Sequence, residues 1–380
     1  MRILIAPDKF KGSLTAAEAA ENIEAGLRDV LPDATIAAIP IADGGEGTAE
    51  AIHRACGGEW IRCRVQDALG REIEARYLWM PERETAVVEM SEAAGLWRIK
   101  TEERDLLRAT TYGVGEMILD ASRHGAAEIV VGLGGSATND GGMGMARALG
   151  VRFVEGEPAR EITMPGELTN LTGITGAEGL DILTGLSRQD RKSALKLIAA
   201  VDVRNPLLGA RGATRTFGAQ KGGTPEQLEI LERGLARLAS VAQRDLRCDF
   251  RETAGAGAAG GLGFGLLSFC GARIRPGFEV VADFVGLRGA IEQADAVITG
   301  EGRLDDQTLE GKAPAGVART ARAAGKRVFA LVGSTSVADS SRALFDRIIP
   351  LRTSGVSVEE SMSRAAELLR ERARELAGMM

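Results

Sequence analysis

Apolar residues in this chain gather in short continuous runs that end in glycine and acid, separated by stretches with a helical repeat. Arg2 to Ala6 is a β-type run that meets Asp8 and Lys9 at once. From Thr15 to Leu31, the positions Ala19, Ile23, Leu27 and Val30 share one helical face, Thr15 and Glu18 form a capping-box pair, and Pro32-Asp33 ends the helix. Thr35 to Pro40 reads as a second strand and Gly47 to Cys56 as a second helix, so the chain opens β-α-β-α, the start of a parallel sheet. The pattern then changes. Glu59 to Val65, Glu72 to Trp79 and Thr85 to Met90 are β-type runs joined by short turns, and hairpin pairing is expected for them.

A helical repeat over Tyr112 to His124 leads into the apolar run at Ile129, followed by a helix over 142–149 and a strand over 151–154. Pro158 to Gly179 is rich in Gly, Thr and Pro and reads as a long loop. Beyond it come a buried-looking run from Ala194 to Val201, an amphipathic helix from Pro225 to Arg244 and the glycine-dense Ala254 to Gly265. Short strands are expected at 296–299, 328–332 and 347–351. A last helix from Val358 to Ala377 turns Met362, Ala366, Leu369 and Leu376 inward. The simplest layout is an α/β fold of two α/β domains. One is built from both chain ends, residues 1–62 and 288–380, and the other, 63–287, is inserted in it. A ligand is expected in the cleft between domains, at the carboxyl ends of parallel strands.

Composition narrows the function classes. Net charge is −6 with lysine and arginine interspersed among the acids, and aromatics make up only 4%, so neither a nucleic-acid surface nor base-stacking platforms are expected. The four cysteines form no CxxC pair and no zinc spacing; they read as reduced thiols of a cytoplasmic protein. Two histidines argue against a Ser-His-Asp hydrolase or a histidine metal site. The opening apolar run is too short for a secretory signal, and no stretch is long enough to span a membrane.

Candidate chemistry sits where the apolar runs end. IVVGLGGSATNDGGMG (Ile129 to Gly144) passes from a buried strand into glycines, then Ser136, Thr138, Asn139 and Asp140 at the expected start of a helix. Such a turn can cradle phosphate with backbone N–H groups, and Asp140 adds a carboxylate suited to a metal or a proton. N-capping by one Asn or Asp is the plainer reading, but it does not need Ser-Ala-Thr-Asn-Asp flanked by five glycines. Asp8, Lys9 and Lys11 follow the first strand; Asp43 precedes Gly44-Gly45, and Glu46 reads equally as a helix-start acid. Asp202 and Asn205 end another buried run, where an Asx turn before Pro206 is the alternative. Glu301 and Asp305 bracket Arg303 after Thr299, with Lys312 beyond; Gln220 and Lys221 on a glycine loop are a weaker signal. Gly132-x-Gly134-x-x-Ala137 fits the dinucleotide fingerprint loosely, and Gly255-x-Gly257-x-x-Gly260 is explained as well by close helix packing. A Walker A sequence and the protein-kinase signature set are absent.

Together these stretches resemble the bacterial two-domain glycerate kinases. The resemblance is carried by IAPDKFKGSLTA (Ile5 to Ala16), ADGGEGT (Ala42 to Thr48), ATTYGVGE (Ala109 to Glu116), GLGGSATNDGG (Gly132 to Gly142), DVRNPLLG (Asp202 to Gly209), FGAQKG (Phe217 to Gly222), GAGAAGGLGFG (Gly255 to Gly265), RPGFEVV (Arg275 to Val281) and ITGEGRLDDQT (Ile298 to Thr308). It implies two α/β domains, one of them flavodoxin-like, and transfer of the γ-phosphoryl group of ATP, with Mg²⁺, to D-glycerate. The expected product is 2-phosphoglycerate. The chain departs from the family pattern at Glu92, where relatives carry a small residue, and at Glu310, where many carry histidine.

On that footing the roles divide as follows. Lys9 or Arg303 clamps the substrate carboxylate, with Asp8 and Asn205 nearby. Asp202 or Asp43 orients or deprotonates the attacking hydroxyl. Asp140, Glu301 and Asp305 are candidate Mg²⁺ ligands, Asp140 serving alternatively in catalysis. Gly134, Gly135, Ser136, Thr138 and Asn139, with Gly44 and Gly45, hold the phosphates of ATP. The expected protein is a monomer or homodimer with small-molecule substrates only. Three other readings stay open: phosphorylation of the 3-hydroxyl, an NAD-dependent oxidoreductase, and a non-catalytic sugar-acid sensor.

Overall fold

The computed structural model describes residues 1–176, 195–305, 313–336, 343–352 and 357–380. Its strands are β1 (Arg2–Ile5), β2 (Thr35–Ala38), β3 (Glu59–Gln66), β4 (Glu72–Met80), β5 (Thr85–Glu89), β6 (Glu128–Gly132), β7 (Arg152–Glu155), β8 (Arg160–Glu161), β9 (Gly173–Thr175), β10 (Lys196–Val201), β11 (Arg273–Pro276), β12 (Ala296–Leu304), β13 (Arg327–Thr335) and β14 (Arg347–Pro350). The chain folds into two compact units. The first holds Met1–Asp43, Glu50–Gly57 and Pro276–Met380; the second holds Gly44–Ala49 and Gly58–Arg275.

The first unit is a five-stranded sheet in the order β14-β13-β12-β1-β2, with every neighbouring pair parallel. Counted along this unit alone the order is 2-1-3-4-5, the flavodoxin-like doubly wound arrangement. Strand alternation explains how the sheet is buried on both faces. Ile3, Ile5, Ile298, Phe329 and Leu331 face a core shared with Ile23, Leu27, Leu369 and Leu376. Their sequence neighbours Leu4, Val297, Val328, Ala330 and Val332 face the opposite core with Ile291 and Val317. The capping box forms as read: Thr15 Oγ1 accepts from the Glu18 amide at 3.2 Å, and the Glu18 carboxylate accepts from Thr15.

That helix, Ala16–Arg28, lies against Ala365–Ala377 from the other end of the chain. Gly26 permits the approach, because a β-carbon there would collide with the Arg370 carbonyl oxygen. Arg370 and Arg374 both reach Asp29, and their hydrogen bonds hold its carboxyl down to about 2. The last helical stretch is broken at Arg364 (φ −104°, ψ 15°) into Val358–Ser363 and Ala365–Ala377. The break rotates the face: Leu369 and Leu376 are inward as expected, whereas Met362 is 39% exposed.

The second unit has a six-stranded sheet in the order β11-β10-β6-β5-β4-β3. β3, β4 and β5 form the expected antiparallel hairpins; β5, β6 and β10 are parallel. In register, Glu89 and Ala200 both stand opposite Gly132, so the loops after β5, β6 and β10 leave one edge of the sheet together. The segment read as a loop from Pro158 carries β8, a 3-10 turn at Pro165–Asn170 and β9; β8 and β9 pair with β7 in a small antiparallel sheet. Residues 177–179 of that reading lie outside the described residues.

Two glycine substitutions test the packing. Gly26→Ala is expected to destabilise the protein by about 2 kcal/mol through overpacking against the Arg370 backbone. Gly289→Ala, in the helix Leu287–Gln293 with nothing within 4 Å of a new β-carbon, is expected to be neutral or to stabilise by about 0.5–1 kcal/mol. Urea denaturation of both variants measures the difference, and equal effects would contradict the helix contact.

Candidate active site

In the first unit, the loops after β1 and β12 flank the point where the strand order reverses, the place at which a doubly wound sheet opens a ligand crevice. Asp8 is buried there. Its amide donates to the Gly300 carbonyl at 2.8 Å, and its Oδ1 accepts from the Lys9 amide at 2.6 Å. Lys9 is half-buried and Lys11 exposed. Glu301 is buried on β12, opposite Val332 in register, and the glycine beside it lets the β1 loop approach: a β-carbon on Gly302 would stand 3.3 Å from the Lys11 amide. Arg303 is exposed and reaches Asp305 at 3.4 Å. Asp43 is half-buried beyond β2, the last residue of this unit's opening segment. Glu310 and Lys312 lie outside the described residues.

In the second unit, two of the glycine loops named from sequence lie backbone on backbone. A β-carbon on Gly134 would stand 2.5 Å from Gly45 Cα, and one on Gly132 would stand 2.6 Å from the Gly44 carbonyl oxygen. The Gly44 loop is tethered by Glu89, a buried acid at the end of β5. Its carboxylate accepts from the amides of Gly47 (3.1 Å) and Ala49 (2.8 Å), at the start of the helix Thr48–Cys56. Sequence reading passed over Glu89 as part of a strand. The available signal was a lone acid closing the otherwise apolar run TAVVE.

Asp140, read from sequence as metal ligand or catalytic acid, is a tether in this structure. It is fully buried. One carboxylate oxygen accepts from the Gly142 amide at 3.0 Å; the other accepts from the Thr111 amide (2.7 Å), the Thr111 hydroxyl (2.8 Å) and the Gly144 amide (3.0 Å). The helix that follows, Met143–Ala148, therefore begins on a carboxylate of the protein, not on a ligand phosphate. Burial pushes the Asp140 carboxyl above the ordinary carboxylate range, and the hydrogen bonds from Thr111, Gly144 and Gly142 pull it back. A cation at Asp140 would have to displace these donors in a site shut from water, so Mg²⁺ does not fit there. Among the described residues, no three or more His, Cys, Asp or Glu side chains cluster as a metal site. Glu301 and Asp305 still fit a magnesium ion, which needs only one or two protein carboxylates.

The rest of the loop divides by exposure. Gly135 (φ +68°) is exposed, Gly134 half-buried and Ser136 8% exposed. Thr138 and Asn139 are fully buried, which removes their side chains from direct contact with a nucleotide in this conformation. The Asn139 amide donates to Thr214 Oγ1 at 3.0 Å, while Thr138 Oγ1 and Asn139 Oδ1 have no hydrogen-bond partner among the described residues. Beneath the loop lies Lys221, 3% exposed, whose Nζ donates to Ser136 Oγ at 2.7 Å and to the Thr138 carbonyl at 2.8 Å. Burial pushes this ammonium down to about 7, against the pull of the Asp140 carboxylate. The β10 loop leaves the same sheet edge. Asp202 is half-buried, and the Asn205 amide donates to the Arg211 carbonyl of its own loop (2.7 Å) and to Thr216 Oγ1 on the helix Ala213–Phe217 (3.3 Å).

Two further sequence readings are decided here. No helix starts within Gly132-x-Gly134-x-x-Ala137, so that stretch is not a dinucleotide fingerprint. The second glycine cluster is a packing surface: the Gly260 carbonyl accepts from the Gly141 amide, and β-carbons on Gly260, Gly261 or Gly265 would strike the backbone of the 138–142 loop. The unusual Glu92 pairs with Arg98 at 3.2 Å and Arg76 at 3.7 Å.

Fold and loops define an α/β protein of two units, each presenting glycine-and-acid loops at the carboxyl ends of parallel strands, the arrangement of proteins that hold small anions. The sequence signature of the Glycerate kinase family matches residues 3–380. The chain is 41% identical to the glycerate kinase of Bacillus subtilis (strain 168), covering 99% of this chain and 97% of that relative. It is 41% identical to the glycerate 2-kinase of Escherichia coli (strain K12), covering 88% and 85%. A crystal structure assigned as glycerate kinase 2 from Salmonella typhimurium LT2 matches with a TM-score of 0.85 at 40% identity, covering 100% of this chain and 98% of that one. The chain belongs to the glycerate kinase family and is a kinase.

Two variants test the local electrostatics. Asp140→Asn presents donors to donors, and it is expected to cost about 3 kcal/mol or more of stability; a metal-ligand role would instead leave the melting temperature in place and raise the Mg²⁺ requirement. For Lys221, the unfolded chain (ordinary value 10.5) binds the proton that the folded chain (about 7) releases. Stability therefore rises as pH passes upward through that window, by up to about 1.4 kcal/mol per pH unit, and falls as pH drops toward 7. Lys221→Met should lack this component. A wild-type-minus-variant stability difference that stays flat between pH 7.5 and 9.5, by urea denaturation, would contradict the depressed ammonium.

Proposed function

We propose that the chain transfers the γ-phosphoryl group of ATP to the 2-hydroxyl of D-glycerate, giving 2-phosphoglycerate and ADP. The observation that carries the reading is the Gly134–Ser136 loop. It is a glycine turn at the end of a parallel strand, exposed at Gly135 and backed from inside by Lys221. A glycine turn with a cation behind it suits phosphate oxygens, on which charge builds during transfer. The printed name of the Escherichia coli relative, glycerate 2-kinase, favours the 2-hydroxyl.

In this reading, Gly134, Gly135 and Ser136, with Gly44 and Gly45, hold phosphate oxygens. Asp202 or Asp43 orients the attacking hydroxyl and takes its proton as its oxygen bonds to the γ-phosphorus and the bond to the β-phosphate oxygen breaks. Lys9 and Arg303 serve the glycerate carboxylate, through charge and bidentate donation respectively. Glu301 and Asp305 hold Mg²⁺, which when bound neutralises charge on the transferred group. Asp8 and Asn205 shape their own loops. Four free cysteines support a cytoplasmic setting, and no helix among the described residues is long and apolar enough to cross a membrane.

Glycerate-dependent ADP release tests the activity, and proton-coupled phosphorus NMR tests the product. Phosphorus on the 2-oxygen couples to one carbon-bound proton and gives a doublet; on the 3-oxygen it couples to two and gives a triplet. A doublet is expected, with turnover abolished by EDTA and restored by Mg²⁺. Glu301→Ala and Asp305→Ala should each raise the Mg²⁺ concentration for half-maximal rate by about tenfold or more. Absence of glycerate-dependent ADP release would overturn the kinase reading, and a triplet would overturn the regiochemistry alone.

A further inference from the structure

Both helix starts beside the glycine loops of the second unit are already occupied by carboxylates of the protein. Glu89 holds the amides of Gly47 and Ala49; Asp140 holds those of Gly142 and Gly144. An incoming phosphate must find its donors elsewhere, and the hydrogen bonding under Gly134–Ser136 shows where. In its charged form, which an approaching phosphate favours, Lys221 has three N–H donors and no lone pair, so in its contact with Ser136 Oγ at 2.7 Å the serine oxygen accepts. A second N–H of Lys221 goes to the Thr138 carbonyl at 2.8 Å. The serine keeps its own proton to donate, and no acceptor for it stands among the described residues. The loop cannot swing to find one. The Gly135 carbonyl accepts from the Leu96 amide at 2.8 Å, and the Ala137 amide donates to the Ala94 carbonyl at 2.9 Å, pinning the backbone on both sides of Ser136.

We infer that Lys221 is the positioning residue of the nucleotide site. By filling the acceptor capacity of Ser136 from below, it turns the serine hydroxyl into a dedicated outward donor to a terminal phosphate oxygen of ATP or ADP, and it lends that donor its positive charge. Ser136 touches the phosphate; Lys221 acts through it. A hydroxyl polarised by an ammonium is a stronger donor than one that also donates inward, because hydrogen bonds in a chain polarise one another. The inference rests on the kinase reading and adds to it the couple that recognises phosphate.

A double-mutant cycle tests it: Ser136→Ala, Lys221→Met and the pair, with ADP·Mg²⁺ binding measured by titration calorimetry and KM measured for each substrate. Each single change should weaken ADP binding by about tenfold. The double variant should be no weaker than the worse single within about twofold, because the two side chains act as one unit. KM for ATP should rise in step while KM for glycerate stays within about twofold, a split that general loosening of the fold would not produce. Losses that multiply to about a hundredfold, or a Ser136→Ala enzyme that binds ADP as tightly as wild type, would overturn the inference. Should Lys221→Met fail to fold in a thermal melt, the Ser136→Ala affinity decides alone: a loss supports the couple and wild-type affinity overturns it. A wild-type enzyme that releases no ADP with glycerate would sink the kinase reading instead, a separate result.

Discussion

The buried carboxylate of Asp140 is the interaction on which the second unit's glycine loop depends. Four donors converge on it from two segments: Thr111 ahead of the helix Tyr112–His124, and Gly142 and Gly144 at the entry to the helix Met143–Ala148. The Thr111 hydroxyl in turn accepts from the Met145 amide at 2.9 Å, closing a ring of hydrogen bonds among fully buried residues. A helix start and a threonine turn that would otherwise bury unpaired N–H groups are satisfied by one side chain. Desolvating an anion is costly, and only this number of donors makes it tolerable. The loop can then leave β6 with Gly134 and Gly135 toward the surface, because everything behind it is anchored.

Glu89 repeats the device on the neighbouring strand. It anchors Gly47 and Ala49, and this explains why Gly44–Ala49 belongs to the second unit although the residues on either side of it belong to the first. The glycines around these tethers serve two purposes. Gly132 and Gly134 lack side chains because the Gly44-Gly45 backbone lies where a β-carbon would be, and Gly260, Gly261 and Gly265 do the same for the 138–142 loop. Bare main chain against bare main chain leaves little room for adjustment, so the shape presented by the loop is set by backbone contact and not by side-chain choice.

The regular elements were legible in the sequence because they rest on local rules. The Thr15–Glu18 box, the Tyr112–His124 helix and the β3-β4-β5 hairpins follow from capping chemistry and hydrophobic period. The break at Arg364 was not legible, since no proline or glycine marks it, and Met362 faced outward as a result. The site was legible as a set of loops but not as a division of labour. Asp140 and Asn139 sit in a run of small polar residues between glycines, and from sequence a buried tether and a ligand contact look alike; only the count of donors around Asp140 shows the tether. Lys221 was undervalued for the opposite reason. Its partners, Ser136 and Thr138, are more than eighty residues away in the chain, and one lysine on a glycine loop carries no sign of burial.

In the proposed site, Asp140 and Lys221 together let a loop with buried charge behind it stay receptive to an anion. Had the lysine paired directly with the aspartate, the two charges would cancel and the loop would offer phosphate only dipoles. The carboxylate is instead spent on four donors of the backbone and Thr111, so it reaches Lys221 only through the electrostatic field between them. The ammonium is committed to two neutral oxygens and stays incompletely compensated, which is why burial depresses it. A group held in that state gains more from an approaching phosphate than a surface lysine does, because no water shell has to be stripped from it and the intervening medium screens little. In the proposed site the cost of burying Lys221 would fall when the anion arrives, so part of the affinity for phosphate would be stored in the fold.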